Sequence, residues 1–224
     1  MALTLRGICR NIAPGVLVLA LLAPGLAHAA DEELWLRASV RYHATKRLHV
    51  DLDQNVRFAL SPWQTAYVAP DLSVSYEAWK RLRFSAGYRY VERRNPFDRF
   101  VTWHRLYADA RGKFKLGDFR VTNRLRLQNE ASSDFSAQDR TSLRDELLLG
   151  YKVNDDLGPY AGVELFYNFR GADGRGFQQY RLEAGVEYTI GSHEVQVEYR
   201  FENEVLDAND VSRNLFVFSF RFDI

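Results

Sequence analysis

The chain has 224 residues, and its 30 lysines and arginines are balanced by 29 aspartates and glutamates. This balance favours neither a nucleic-acid-binding surface nor an acidic tail. Its single cysteine, Cys9, excludes a disulfide framework within the chain. The mean hydropathy of −0.34 is typical of soluble proteins. It does not exclude a membrane barrel, in which only every second side chain meets lipid.

Residues 1–30 have the layout of a secretory signal. Two arginines precede an apolar run, and Ala27-His28-Ala29 supplies the small-x-small pattern that a signal peptidase accepts. The run is shorter than the ~20 apolar residues that a membrane helix needs. We therefore expect a cleaved signal peptide over 1–29 and one mature domain over 30–224. That domain has no thiol and one more acidic than basic residue.

The rest of the chain shows the period-2 alternation that predicts β-strands. In the clearest strand, Leu48, Val50 and Leu52 alternate with polar residues. The other clear strands cover 82–91, 119–129, 193–202 and 216–224. Weaker ones cover 34–44, 64–78, 101–112, 142–153, 160–169 and 178–190. At roughly 9–15 residues, most exceed the usual strand length and are long enough to cross a bilayer when tilted.

The connections and the aromatic residues point to a membrane barrel. Short turns, such as 45–47 and 191–192, alternate with longer polar loops at 92–100, 130–141, 170–177 and 203–213. Outward-facing aromatics form one band near the short turns (Tyr42, Tyr76, Tyr151, Tyr188) and one near the long loops (Phe58, Tyr88, Tyr90, Tyr167, Phe169, Tyr180, Tyr199, Phe201). Both features are typical of outer-membrane barrels. We therefore predict an all-β, transmembrane, antiparallel up-and-down β-barrel.

The predicted number of strands is ten to twelve. The alternation picks out eleven, whereas single-chain bacterial barrels have an even number. We favour twelve for that reason.

The face opposite the apolar one divides into a basic and an acidic wall. The predicted lumen-lining basic residues are Arg83, Arg89, Arg105, Arg111, Arg124 and Arg126, and the acidic ones are Glu164, Glu183, Glu187 and Glu198. The basic wall could attract anionic solutes through an open pore. Alternatively, arginine and glutamate pair across the interior and plug it. A barrel of ~8 strands is filled by its side chains and one of ~16 leaves a channel, so strand number does not decide between these interpretations.

Signals for catalysis are few. His49 shares a face with Asp51 and Asp53, which is a conceivable set of a base and its orienting group. No serine lies in a nucleophile motif, and no phosphate-binding, zinc or calcium pattern is present. We assign no catalytic residue, no metal site and no cofactor. A membrane enzyme acting on lipid or lipopolysaccharide is the less favoured hypothesis.

Three stretches resemble the bacterial family called domain of unknown function 2490. They are LWLRASVRYHATKRLHVDLDQNVRF (34–58), GYRY (87–90) and HRLYADARGKFKLGDFRVTNRLRLQ (104–128), and the C-terminal alternating strand is also similar. The resemblance implies an exported outer-membrane barrel and no known activity or ligand. Ile224 departs from the usual aromatic last residue of such barrels, with Phe222 two positions before it.

The expected location is the bacterial outer membrane. The expected partners are outer-membrane lipid and lipopolysaccharide, with periplasmic chaperones and the barrel-assembly machinery during biogenesis, and no nucleic acid. The sequence does not predict an oligomeric state. Three functions stay open: a small pore for anionic solutes, a plugged barrel that maintains the envelope, and a lipid-modifying enzyme.

Overall fold

The structure is a computed structural model and describes residues 31–95, 97–133, 139–171, 174–205 and 211–224. The predicted signal peptide lies outside these residues. The described residues form eleven strands: β1 Asp31–His43, β2 Leu48–Leu60, β3 Trp63–Trp79, β4 Leu82–Arg94, β5 Phe100–Leu116, β6 Phe119–Ser132, β7 Arg140–Tyr151, β8 Leu157–Arg170, β9 Gly176–Ile190, β10 His193–Glu204 and β11 Ser212–Asp223. No helix in the described ranges is long and apolar enough to cross a membrane.

The strands form one closed barrel in chain order. Each strand pairs antiparallel with the next, and β1 closes the barrel by pairing parallel with β11, with Asp31 opposite Arg213 and Arg41 opposite Asp223. The predicted barrel is confirmed, and its eleven described strands fall within the predicted range. The preference for twelve was wrong because it assumed that all neighbours pair antiparallel. One parallel pair closes an odd number of strands.

The two faces of each strand differ as the alternation predicts. Leu52 on β2 is 55% exposed and Leu106 on β5 is 62% exposed, whereas Asp51 and Asp53 of β2 are buried. The apolar residues therefore form an outward belt around a polar interior, as expected for a barrel in lipid.

Both predicted aromatic bands lie on this outer belt. Tyr42, Tyr76, Tyr151 and Tyr188 are exposed near one end, and Tyr88, Tyr167 and Phe169 are exposed near the other. Phe201 differs from its neighbours in being only 8% exposed, with its ring packed near that of Tyr180 at a centroid separation of 6.2 Å.

Most turns are shorter at one end of the barrel than at the other, although 152–156 is as long as 95–99 and 171–175. At the end that we call the short-turn end, strands are joined by 44–47, 80–81, 117–118, 152–156 and 191–192. At the opposite, long-loop end they are joined by 95–99, 133–139, 171–175 and 205–211, and also by the two-residue turn 61–62. This last connection is shorter than the predicted pattern requires.

The parallel seam can be tested with disulfides. In a background without Cys9, cysteines at Ala38 and Phe220 should form a disulfide, because these residues are register partners and facing Cβ atoms lie within reach of one. A control pair at Ala38 and Phe216 should not form one, since four residues along a strand separate the positions by about 13 Å. Non-reducing gel mobility of the folded protein measures both. A disulfide in the control pair alone would contradict the register.

Candidate functional site: the charged interior

Several polar side chains in the middle of the barrel are almost completely covered. Asp71 of β3, Asn55 of β2 and Glu164 of β8 are each 1% exposed. These groups lie on three parts of the wall and all point inward. Side chains therefore cover these groups closely, whereas Arg37 of β1, the register partner of Asn55, keeps 42% of its side chain exposed.

Glu164 has the densest set of ionic contacts in the described interior. Its Oε1 accepts hydrogen bonds from Arg144 (2.6 Å) and Arg124 (3.0 Å), and its Oε2 accepts one from Arg181 (3.1 Å). Arg181 also donates to Glu202 at 2.6 Å. The cluster of Glu164 with these three arginines joins β6, β7, β8 and β9. Charge-assisted bonds of this kind are about twice as strong as neutral ones.

The other predicted basic residues mostly pair with acids on neighbouring strands. Arg126 donates to Asp109 through Nε at 2.6 Å and through Nη2 at 2.7 Å. Arg89 Nε lies 2.6 Å from Asp71 Oδ2, and Arg124 Nη2 lies 2.6 Å from Glu146 Oε1. Two further pairs are Arg105 with Glu130 and Arg83 with Glu77.

Arg111 is the exception among the predicted basic residues. It lies directly opposite Arg83 on one side and Arg124 on the other. Among the described residues it forms no ion pair or side-chain hydrogen bond. Like charges that face each other across strands are destabilising, so this row is the least neutralised part of the basic wall.

The predicted acidic residues also find partners. Glu183 and Glu198 both pair with Arg200, at 2.9 and 2.6 Å. Glu187 is more loosely placed, 3.4 Å from Arg120. Among the described residues, the contact of Glu164 with Arg124 is the one ion pair between the two sets of predicted residues.

Sequence reasoning missed the acids that neutralise the basic wall, namely Asp71, Glu77, Glu130 and Glu146. Their inward positions follow from the alternation. Their partners follow from register, which places Glu130 opposite Arg105 and Glu146 opposite Arg124.

Two tyrosines cross over a whole strand to reach an acid. Tyr107 of β5 donates to Asp71 of β3 at 2.6 Å, and it passes over Gly87 of β4. A Cβ added to Gly87 would lie 2.4 Å from the Tyr107 ring. Tyr160 of β8 reaches Glu198 of β10 in the same way, at 2.7 Å, over Gly185. At both positions the absence of a side chain makes the crossing possible.

Aromatic rings contact the interior guanidinium groups. Arg57 lies 4.1 Å and Arg200 5.0 Å from the Trp35 ring centroid. The Phe166 ring has a guanidinium at 4.6 Å from each of Arg144 and Arg181. Such cation–π contacts stabilise charges that have lost water.

A cavity of about 270 Å³ lies in the long-loop half of the interior. Its walls come from residues near the outer ends of the strands, including Arg57, Arg93, Arg140 and Arg213. Arg144, Arg181 and Phe166 also line it. We call it the long-loop cavity. The bonds of Arg144 and Arg181 to Glu164 connect this cavity to the covered polar residues in the middle of the barrel, which we call the middle layer.

The predicted base set around His49 is not assembled. Asp51 accepts a 2.6 Å hydrogen bond from Arg41, and Asp53 is bound by Ser39 and Arg37. Neither ring nitrogen of His49 has a hydrogen-bond partner among the described residues, and Nε2 lies 3.7 Å from Glu77. The described side chains include no group of three or more His, Cys, Asp or Glu that could hold a metal ion.

A closed sheet with an apolar outer belt, two aromatic bands and a charged interior has the fold of an outer-membrane β-barrel. The interior side chains do not define an activity. The chain belongs to the family described as "Protein of unknown function (DUF2490)", whose model matches residues 32–213. The resemblance expected from the sequence is therefore confirmed.

Solved barrels are similar in fold. The NanC porin matches with a TM-score of 0.53 and 14% identity, over 83% of this chain and 95% of its own. OmpT of Vibrio cholerae has a TM-score of 0.42 and 16% identity, over 70% of this chain and 54% of its own. The translocator domain of the autotransporter NalP from Neisseria meningitidis has a TM-score of 0.42 and 12% identity, over 93% and 94%. No curated protein sequence matches the chain.

Replacing Glu164 should destabilise the barrel. Glu164→Gln keeps the shape but removes the one negative charge that three buried arginines share, and breaking a buried pair in this way costs about 3–5 kcal/mol. Urea unfolding in lipid vesicles measures the change in the free energy of unfolding. The control Asp155→Asn breaks the exposed Lys152–Asp155 pair and should leave the midpoint unchanged. Equal midpoints for both variants would mean that the Glu164 cluster is not formed.

Gly87→Ala should also destabilise the fold, because the new methyl group overlaps the Tyr107 ring. We expect a loss of about 1–3 kcal/mol, as for other overpacked interiors, measured by the same unfolding experiment. Gly150→Ala is the control, since its nearest contact is an ordinary 3.6 Å. If both substitutions were neutral, Tyr107 would not pass over β4.

Proposed function

We propose that this barrel lies in the bacterial outer membrane and is closed to passive diffusion. The apolar belt with its two aromatic bands matches the depth profile of a bilayer, which supports the location. Lipid and lipopolysaccharide are then the partners of the belt, and the long-loop end faces outward because outer loops are the longer ones in such barrels. The closed barrel therefore acts in the envelope through its outward end.

The dry middle layer is the observation that carries the closure. Asp71 and Glu164, from β3 and β8, are both 1% exposed. Water and small ions have no continuous route past groups that are this deeply covered. The side chains that cover them are ion-paired, and such pairs do not move aside without leaving a buried charge.

Transport of anionic solutes is the second candidate function. It is favoured by the arginines of the basic wall and by Arg111, which has no acidic partner among the described residues. The likeness in fold to a protein named a porin also supports it. Transport would require the ion pairs of the middle layer to separate.

Conductance distinguishes the two candidates. The purified protein in a planar lipid bilayer should give no stepwise current in salt solution. A variant in which Arg144, Glu164 and Arg181 are all alanine should conduct, because it removes most of the Glu164 cluster. The control Leu147→Ala/Leu165→Ala truncates two exposed outward residues and should stay silent. Steps from the unmodified protein that scale with salt concentration would reject the closed barrel in favour of transport.

A further inference from the structure

We propose that the long-loop cavity is a binding site for a small solute that carries carboxylate or phosphate groups. The inference deepens the proposed function and rests on it, because the closed middle layer forms the floor of the cavity. Its volume of about 270 Å³ is close to the lower limit of small-molecule sites.

The charge of the lining is strongly unbalanced. Nine lining side chains are arginines and four are glutamates. Arg89, Arg144 and Arg181 are neutralised from the floor, by Asp71 and Glu164. Glu164 also binds Arg124, so its single charge is shared among three guanidinium groups. Arg124 and Arg181 have second partners in Glu146 and Glu202, so the floor itself is close to neutral.

Arg93 is the arginine of the cavity lining that has no ion pair among the described residues. The glutamates of the cavity wall are taken by other arginines: Glu33 by Arg57, Glu202 and Glu204 by Arg213, and Glu130 by Arg105 and Arg140. Arg93 is exposed and forms no ion pair or side-chain hydrogen bond among the described residues, and its guanidinium lies 6.0 Å from the centroid of the Tyr67 ring.

Three covered hydrogen-bond donors on lining residues of the cavity have no partner among the described residues. Arg105 and Gln179 are both 7% exposed, and Arg105 Nε and Gln179 Nε2 have no hydrogen-bond partner in the described structure. Arg57 Nε, also on the cavity wall, is buried and unpartnered as well. Leaving such donors unsatisfied costs free energy. An acceptor-rich solute in the cavity neutralises Arg93 and, where the lining side chains turn toward it, satisfies these donors as well.

The chemistry of the donors defines the ligand class. A guanidinium presents its N–H groups as a planar fork that fits the oxygens of carboxylate and phosphate. The rings of Tyr67, Trp35 and Phe166 also border the cavity, with guanidinium groups of the lining already over their faces. A compact solute with more than one anionic group fits this combination better than a single inorganic ion.

Titration calorimetry on the detergent-solubilised full barrel tests the site with citrate, inorganic phosphate and uncharged glucose as probes. We expect citrate to bind more tightly than phosphate, no heat from glucose, and weaker binding at higher salt. Arg93→Gln should weaken citrate binding about tenfold or more, since it removes one charge-assisted contact. Arg111→Gln is the matched control, because it removes an equally unpaired arginine from the other half of the interior, and it should change affinity less than twofold.

A second variant protects the test if Arg93→Gln does not fold. Gln179→Met keeps the side-chain length, removes one unused donor and should weaken citrate binding about threefold. Absence of citrate binding, or equal binding by wild type and both cavity variants, would overturn the proposal. If the barrel neither conducts nor binds citrate, the binding-site proposal is wrong and the proposal of a closed barrel is retained. If the barrel conducts and binds citrate through Arg93, the proposal of a closed barrel is wrong and the binding-site proposal is retained.

Discussion

A charged side chain that points into a closed barrel has to find an opposite charge, because the filled interior holds too little water to solvate it. An isolated buried charge costs several kcal/mol, and each of the strands β4 to β10 carries at least one inward charge. The structure meets this requirement in two ways. Asp109 accepts two hydrogen bonds from one arginine, Arg126, whereas Glu164 accepts bonds from three different arginines. The interior is thus organised by charge pairing, whereas the outer belt is organised by contact with lipid.

The same alternation explains why an odd number of strands can close. Residues that face each other on paired strands lie on the same side of a sheet, whichever way the strands run. At the parallel seam Trp35 meets Val217 inside and Leu36 meets Phe218 outside. The belt and the interior therefore continue across β1 and β11 without interruption. Alternation alone does not require an even number of strands.

The strands and their faces could be predicted because each rests on a local pattern. The prediction of 48–60 coincides with β2 because its alternation is unbroken. For β7 the prediction of 142–153 was displaced by two residues at each end. The run Leu147-Leu148-Leu149 interrupts the alternation within this strand. The inward position of the predicted arginines was a consequence of the same local signal.

The partners of those arginines could not be predicted, because register is decided by the turns. Asp109 faces Arg126 only because Gly117-Asp118 closes the β5–β6 hairpin in two residues, with Gly117 at a φ of 62°. A turn longer by one residue would change every partner on the two strands. This turn was not among the predicted ones. The crossings of Tyr107 and Tyr160 were also beyond reach, since each depends on a glycine in a third strand.

Closure and charge pairing depend on each other. Eleven strands lie between the ~8 that side chains fill and the ~16 that leave a channel, so the length of the inward side chains decides whether the lumen is open. Arginine, glutamate and tyrosine are long enough to meet near the axis, and water is then displaced from the middle layer. Once water is absent, the pairs become strong and costly to separate. If water entered, the same pairs would weaken to the level of surface contacts. The ion pairs would then no longer hold the side chains in extended conformations. The interior is therefore either filled and paired or hydrated and open, and the 1% exposure of Asp71 and Glu164 favours the first state.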